Sequence, residues 1–169
     1  MPIIKLTNAE LIVVDVFVWF VLHMGISIAL LKVPLSFFKK ENRLFDSFSW
    51  EKKGAFWQTY FHVRSWKDKL PDGASLFKLG FKKKHLTKVN DAYLTAFILE
   101  SKRAELNHWL LMLPAPFFFL WNPPWAGWMI ICYALVANCP FIIIQRYNRP
   151  RFENIQQKRK SGRRAKLFL

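Results

Sequence analysis

Glu105 and His108 are the residues of this 169-residue chain whose types and spacing most directly suggest chemistry. Three positions apart, they share one face of a helix. A carboxylate beside an imidazole can hold the ring in the tautomer that accepts a proton, as a general base acting on a hydroxyl requires. The competing reading is a charge at a helix entrance followed by an interfacial histidine, because the pair stands where a polar pattern turns apolar. Glu-x-x-His also resembles half of a di-iron site, but the second half is missing. C-x-x-C and H-E-x-x-H are absent as well, so these motifs give no support for a metal.

Two cationic clusters offer binding chemistry. In Gln145–Arg151 (QRYNRPR), Arg146, Arg149 and Arg151 present planar forks suited to phosphate or carboxylate, and Asn148 adds donors. A positively charged stop after an apolar run is equally basic, although it has no need of Tyr147, Asn148 and Pro150. In Val63–Gly73 (VRSWKDKLPDG), Arg64, Lys67, Lys69, Asp68 and Asp72 surround Trp66. A turn at Pro71-Asp72-Gly73 would project a carboxylate beside those cations, or would be an ordinary charged surface turn. KKKH at Lys82–His85 reads as a solvated or headgroup-facing patch. Asp15, Trp19, His23 and Ser27 recur every four residues within an apolar run. Ionisable groups there are functional candidates or part of a helix packing face. Asn138 and Pro140 suggest a kink whose freed backbone groups need a partner.

Several enzyme signatures are missing. The chain has no G-x-S-x-G, P-loop or G-x-G-x-x-G. The H-x-x-x-x-D pattern of glycerolipid acyltransferases fails twice by one residue, at His62 to Asp68 and at His85 to Asp91. Cys132 and Cys139 lie in one apolar run. On a helix that spacing is about 10 Å along the axis, too far for a disulfide.

The elements that must carry these groups follow from composition. Lys and Arg total 26 against 11 Asp and Glu, yet 53% of the residues are apolar, with 17 Phe and 8 Trp. Basic nucleic-acid binders are rarely this apolar, and disorder needs low hydrophobicity. A membrane protein with basic polar segments accommodates both facts. Leu11–Leu31 is long enough to cross a hydrocarbon core of about 30 Å. Its length, Asp15, His23 and the lack of a small-x-small site argue against a cleaved signal peptide. Lys32–Arg103 is polar with amphipathic pieces such as Ala55–Val63, and Leu70–Leu86 reads as loop. Asn90 or Asp91 caps a new helix with no breaker before Pro114.

Leu106–Trp121 and Trp125–Ile144 are further apolar blocks, separated by Asn122-Pro123-Pro124. The first contains Pro114 and Pro116 and is either a kinked, thin span or a re-entrant segment. Trp109, Trp121, Trp125 and Trp128 suit membrane interfaces. The predicted fold is therefore all-α, a single membrane-embedded domain with about three transmembrane helices. The expected segments are spans at 11–31, 106–121 and 125–144, a basic cytoplasmic stretch at 32–105 with amphipathic helices, and a basic tail at 145–169. Only Lys5 precedes the first span, whereas residues 32–103 hold 16 Lys and Arg and the tail nine. Positive-inside counting then predicts a multi-pass cell-membrane protein with its amino terminus outside and the central segment and tail in the cytoplasm.

Three stretches, FWQTYFHVRSWKDKLPDG, KRAELNHW and YALVANCPFIIIQRYNRPR, carry a family resemblance in the family's own order. They resemble the glycosyl-4,4'-diaponeurosporenoate acyltransferases of staphyloxanthin-type carotenoid synthesis, over about Ser47 to Arg151. The resemblance implies transfer of a fatty acyl group to a sugar hydroxyl of a glycosylated carotenoid or related glycolipid. It implies an acyl thioester such as acyl-CoA as co-substrate, with no cofactor, no metal and no nucleic acid, and membrane lipids as surroundings.

Chemistry then suggests roles within the matching motifs. Glu105 orients His108, which takes the proton of the acceptor hydroxyl, while Arg146, Asn148 and Arg149 stabilise the oxyanion or bind donor phosphates. Arg64, Lys67 and Lys69 contact the donor's nucleotide end, and Asp72 positions a sugar hydroxyl. Trp66, Arg103, Asn138 and Gln145 complete the expected substrate-binding set. His85 or Asp72 remains an alternative base. Three other classes stay open: a non-catalytic basic protein binding anionic lipid or a partner enzyme, a small membrane reductase or methyltransferase, and, least favoured, a nucleic-acid binder.

Overall fold

Thr7 and Glu10 start the first helix, α1 (Asn8–Lys32), by capping each other. Thr7 Oγ1 accepts from the Glu10 amide at 3.4 Å, and Glu10 Oε2 accepts from the Thr7 amide at 2.7 Å. Two donors that a helix start leaves orphaned are thereby satisfied. Beyond this cap the helix is apolar nearly all round: only Leu30 is buried, and Ile12, Val13, Val16, Phe17 and Phe20 are exposed. Such a surface suits hydrocarbon rather than water. Pro34 lacks the amide a further turn would need, and the helix stops at Lys32.

The computed structural model describes residues 4, 6–40, 42–70 and 91–167. After α1 come 3-10 turns at Leu35–Lys39 and Ser49–Gly54, then α2 (Ala55–Phe61), α3 (Val63–Trp66) and a further 3-10 turn at Lys67–Lys69. Helix α4 (Asp91–Met112), a 3-10 turn at Ala115–Leu120 and helix α5 (Pro124–Leu167) follow. Among the described residues every regular element is helical, as the sequence predicts. Helix α4 begins at Asp91 and ends just before Pro114. Helix α5 opens with Pro124 at a position where its missing amide costs nothing. It continues through Pro140 and Pro150, so the apolar block 125–144 and the first part of the basic tail form one helix.

Two helices, α1 and α5, are long and apolar enough to cross a membrane. The apolar block 106–121 is divided: residues 106–112 finish α4, and residues 115–120 form the 3-10 turn after Pro114. Most of the loop expected at 70–86 lies outside the described residues, as do Asp72 and the Lys82–His85 patch.

The chain separates into two compact units, residues 1–34 with 104–142 and residues 35–103 with 143–169. In the first unit, Asp15 Oδ1 accepts from Trp121 Nε1 at 2.8 Å and from Asn122 Nδ2 at 2.7 Å. One turn further along α1, Trp19 stands edge-on to Phe118 and Tyr133, with ring centroids 5.2 and 5.7 Å away. The polar stripe on α1 is thus a packing face. Asp15 thereby ties α1 to the Trp121-Asn122 segment that precedes α5.

The second unit is built on buried Phe38, Phe45, Val63, Leu94, Phe97 and Tyr147. The Phe97 and Phe152 rings lie 4.0 Å apart, and Gln156 Nε2 donates to Thr95 Oγ1 at 2.7 Å. Its unusual feature is a left-handed run at Lys52 (φ +48°), Lys53 (φ +53°) and Gly54 (φ +88°). A β-carbon at Gly54 would stand 2.9 Å from the Tyr147 carbonyl oxygen, so glycine is required by both conformation and space. Replacing Gly54 by Ala should cost about 1–3 kcal/mol. Lys53→Gly, which relieves a left-handed lysine without touching the contact, should instead gain about 1 kcal/mol. Thermal unfolding of the detergent-solubilised protein reads both, and equal midpoints for Gly54→Ala and wild type would contradict this assignment.

Candidate functional site

The first unit contains an ordered chain of hydrogen bonds ending on His108. Asn138, buried on α5, donates from Nδ2 to the Ala134 carbonyl one turn earlier, at 2.8 Å. That bond leaves Oδ1 as the atom facing His108, and the His108 Nδ1 lies 2.9 Å from it. An amide oxygen only accepts, so Nδ1 is the protonated nitrogen in this contact. Phe141, one turn beyond Asn138, stacks on the imidazole with centroids 4.7 Å apart and planes 8° from parallel. Hydrogen bond and stack together restrict both tilt and rotation.

Glu105, expected from sequence to orient this ring, is fully buried and accepts from Trp109 Nε1 at 3.4 Å. At Nδ1 the orienting partner is Asn138, one of the expected binding residues. The side-chain periodicity of α5 brings Ala134, Asn138 and Phe141 to one face at four- and three-residue steps. Among the described residues no three His, Cys, Asp or Glu side chains gather as metal ligands would.

The second unit contains a buried ion pair whose acidic member sequence reasoning missed. Arg146 Nε donates to Glu51 Oε1 at 2.6 Å and Nη2 to Glu51 Oε2 at 3.1 Å, with both residues buried. The guanidinium also donates to the carbonyls of Leu44 (3.2 Å) and Asp46 (3.0 Å), and its Cζ lies 4.8 Å from the Phe48 ring centroid. Glu51 in turn accepts from Trp57 Nε1 at 2.9 Å and from the Phe48 amide at 2.8 Å. A charged pair out of water is tolerated only when its lone pairs and protons are met this fully. One signal was available: in so basic a chain, a buried arginine needs one of few carboxylates, and Glu51 sits in the motif-bearing half.

The other expected binding residues are spread over this second unit. Arg149 is buried with its guanidinium 5.8 Å from the Phe45 ring, and Asn148 is half-buried. Burial, the larger effect, raises the nearby Glu153 carboxyl, with Arg149 and Lys102 opposing it. Arg103 pairs with Glu100 at 3.2 Å and lies 5.9 Å from the Phe38 ring. Gln145 is buried, and its Oε1 has no hydrogen-bond partner among the described residues. Arg64 and Lys69 are exposed, Lys67 pairs with Asp68 at 3.2 Å, and Trp66 Nε1 donates to the Phe61 carbonyl at 2.8 Å. Arg151 stacks on Tyr147, 3.7 Å from its centroid, and donates to the Tyr147 hydroxyl.

Two apolar helices of spanning length are consistent with a small helical membrane protein. The family model for glycosyl-4,4'-diaponeurosporenoate acyltransferase matches residues 41–158. Curated relatives of that name include one from Staphylococcus aureus strain Newman, 38% identical over 147 residues, 86% of this chain and 88% of the relative. Another, from the bovine strain RF122 / ET3-1, is 38% identical over 137 residues, 81% of this chain and 82% of the relative. No solved structure matches the chain. The chain belongs to this family of acyltransferases.

The buried pair gives the clearest energetic expectation of the site region. Glu51→Gln leaves the Arg146 charge buried without its counter-ion and should cost about 3–5 kcal/mol. Replacing both residues by Met should cost much less than the two single losses together, because no orphan charge remains. Denaturation of the four proteins in one detergent measures this cycle, and strictly additive losses would show that the pair is not coupled.

Proposed function

We propose that the protein transfers a fatty acyl group from an acyl thioester to a sugar hydroxyl of a glycosylated carotenoid or a related glycolipid. The observation that supports the mechanism is the Ala134–Asn138–His108 chain, because a neutral ring that donates from Nδ1 to Asn138 has its lone pair on Nε2. In the reaction Nε2 takes the acceptor's hydroxyl proton as the oxygen attacks the thioester carbonyl. The tetrahedral intermediate then collapses, the carbon–sulfur bond breaks, and the imidazolium returns the proton to the departing thiolate. The products are a sugar ester and a free thiol, so the proton count closes.

His108 is the base in this reading, and Asn138 is its positioning residue. Glu105 is buried one turn away on the same helix. Arg146 has an internal structural role rather than the substrate contact expected of it. Arg64, Lys67 and Lys69 remain the groups suited to the phosphates of an acyl-CoA donor, and Asn148 and Arg149 remain candidate polar contacts for substrate.

Positive-inside counting puts both the central segment and the tail in the cytoplasm, so α1 and α5 would cross in the same direction. If both cross the bilayer, the chain between them must return across it. Residues 104–121, with their proline-broken end, supply that third passage. Positive-inside counting orients the amino terminus outward.

The test is incubation of the purified protein in nanodiscs with labelled acyl-CoA and glycosylated C30 carotenoid acid. Wild type should yield a labelled sugar ester. His108→Ala should lower kcat by about 10²–10⁴. Asn138→Leu should lower kcat by a smaller factor and leave KM nearly unchanged, because it releases the ring and touches no substrate. Full transfer by His108→Ala would remove His108 as the base and return attention to His85 and Asp72.

A further inference from the structure

The second unit carries a continuous aromatic surface that the buried core does not use. Phe48 stacks on Trp50 with centroids 6.0 Å apart, and Trp50 meets Phe56 at 4.9 Å and Trp57 at 5.5 Å. Phe56 meets Tyr60 at 4.7 Å, and Trp57 meets Phe61 at 5.5 Å. The inner side of this platform is anchored, because Trp57 donates to Glu51 and Phe48 lies against the Arg146 guanidinium. Its outer side is open: Phe48 is 50%, Trp50 49%, Tyr60 69% and Phe61 47% exposed.

Isolated exposed apolar residues need no explanation, but an interlocked set of aromatic rings of this extent marks a contact surface. Lys52 and Lys53 are exposed within the same turn as Trp50, held there in left-handed backbone. Aromatic rings beside ammonium groups match the headgroup layer of an anionic bilayer, whose acyl boundary accepts the rings and whose phosphates accept the lysines. The chain's connectivity agrees. The unit bearing the platform begins at Leu35, and α1, of membrane-spanning length, ends at Lys32.

We propose that the face formed by Phe48, Trp50, Tyr60 and Phe61, with Lys52 and Lys53, docks into the headgroup layer of an anionic phospholipid bilayer. It stands independently of the acyl-transfer reading. Such docking holds the second unit in the layer where an amphiphilic lipid presents its polar end.

The experiment uses the full chain carrying Cys132→Ser and Cys139→Ser, with an environment-sensitive fluorophore attached at Tyr60→Cys or, as reference, at exposed Gln157→Cys. The protein is placed in phosphatidylcholine nanodiscs with or without phosphatidylglycerol, using lipids brominated near the glycerol end of the chains. The label at 60 should be quenched severalfold more by bromine than the label at 157, and less by aqueous iodide. Lys52→Asn with Lys53→Asn keeps residues that accept left-handed backbone while removing both charges. It should lower the docked-to-undocked ratio in phosphatidylglycerol by about fivefold per lysine, the equivalent of ~1 kcal/mol each. Iodide quenching at 60 without bromine quenching would overturn the proposal. Shielding from both quenchers, which indicates a protein partner, would overturn it too. Indifference to phosphatidylglycerol would overturn the anionic requirement.

Discussion

A polar group withdrawn from water must find its partner inside the protein, and that constraint organises both units of this molecule. In the first, Asp15 is met by Trp121 and Asn122, and Asn138 is met by Ala134 on one side and His108 on the other. In the second, Arg146 is met by both oxygens of Glu51 and by two carbonyls. Each set also does geometric work. The Asp15 set ties α1 to the segment that precedes α5, the Asn138 set holds an imidazole, and the Glu51 set closes a fold around a charged centre.

The second unit shows how such satisfaction is bought with backbone strain. Two lysines and a glycine adopt left-handed conformations directly after Glu51. They turn the chain sharply so that Gly54 can seat against the Tyr147 carbonyl while Glu51 reaches Arg146 from the same turn. Strain of this kind persists only where surrounding contacts over-determine it. The buried pair, the Trp57 hydrogen bond and the aromatic contacts to Phe48 supply that over-determination. Fixing this turn also fixes the exposed rings and lysines beside it.

Much of the architecture was legible in the sequence because it rests on local signals. The helix running from Asp91 towards Pro114, the break at Pro114 and the apolar length of α1 are all read within a turn or two of chain. The continuity of α5 was harder to see, because a change from apolar to basic composition at Gln145 looks like a boundary although the backbone continues. His108 was legible as a candidate from its type and place. Its partner was not, since Asn138 lies thirty residues away and reaches His108 only through packing. Glu51 was missed for the same reason: its partner is ninety-five residues distant. Local spacing favoured Glu105 and exposed positive clusters. The long-range pairing with Glu51, which local spacing does not show, is what makes Arg146 an internal group.

The proposed mechanism requires Asn138 to hold His108 with its proton on Nδ1. Nitrogen-15 NMR of the imidazole, with His108 assigned by difference from a His108→Gln sample, tests it without need of any substrate. The expected spectrum has Nδ1 as the proton-bearing, pyrrole-type nitrogen and Nε2 as the pyridine-type one at pH above the imidazole's titration, with that preference lost in Asn138→Leu. A ring protonated on Nε2, or a tautomer mixture indifferent to Asn138, would contradict the account.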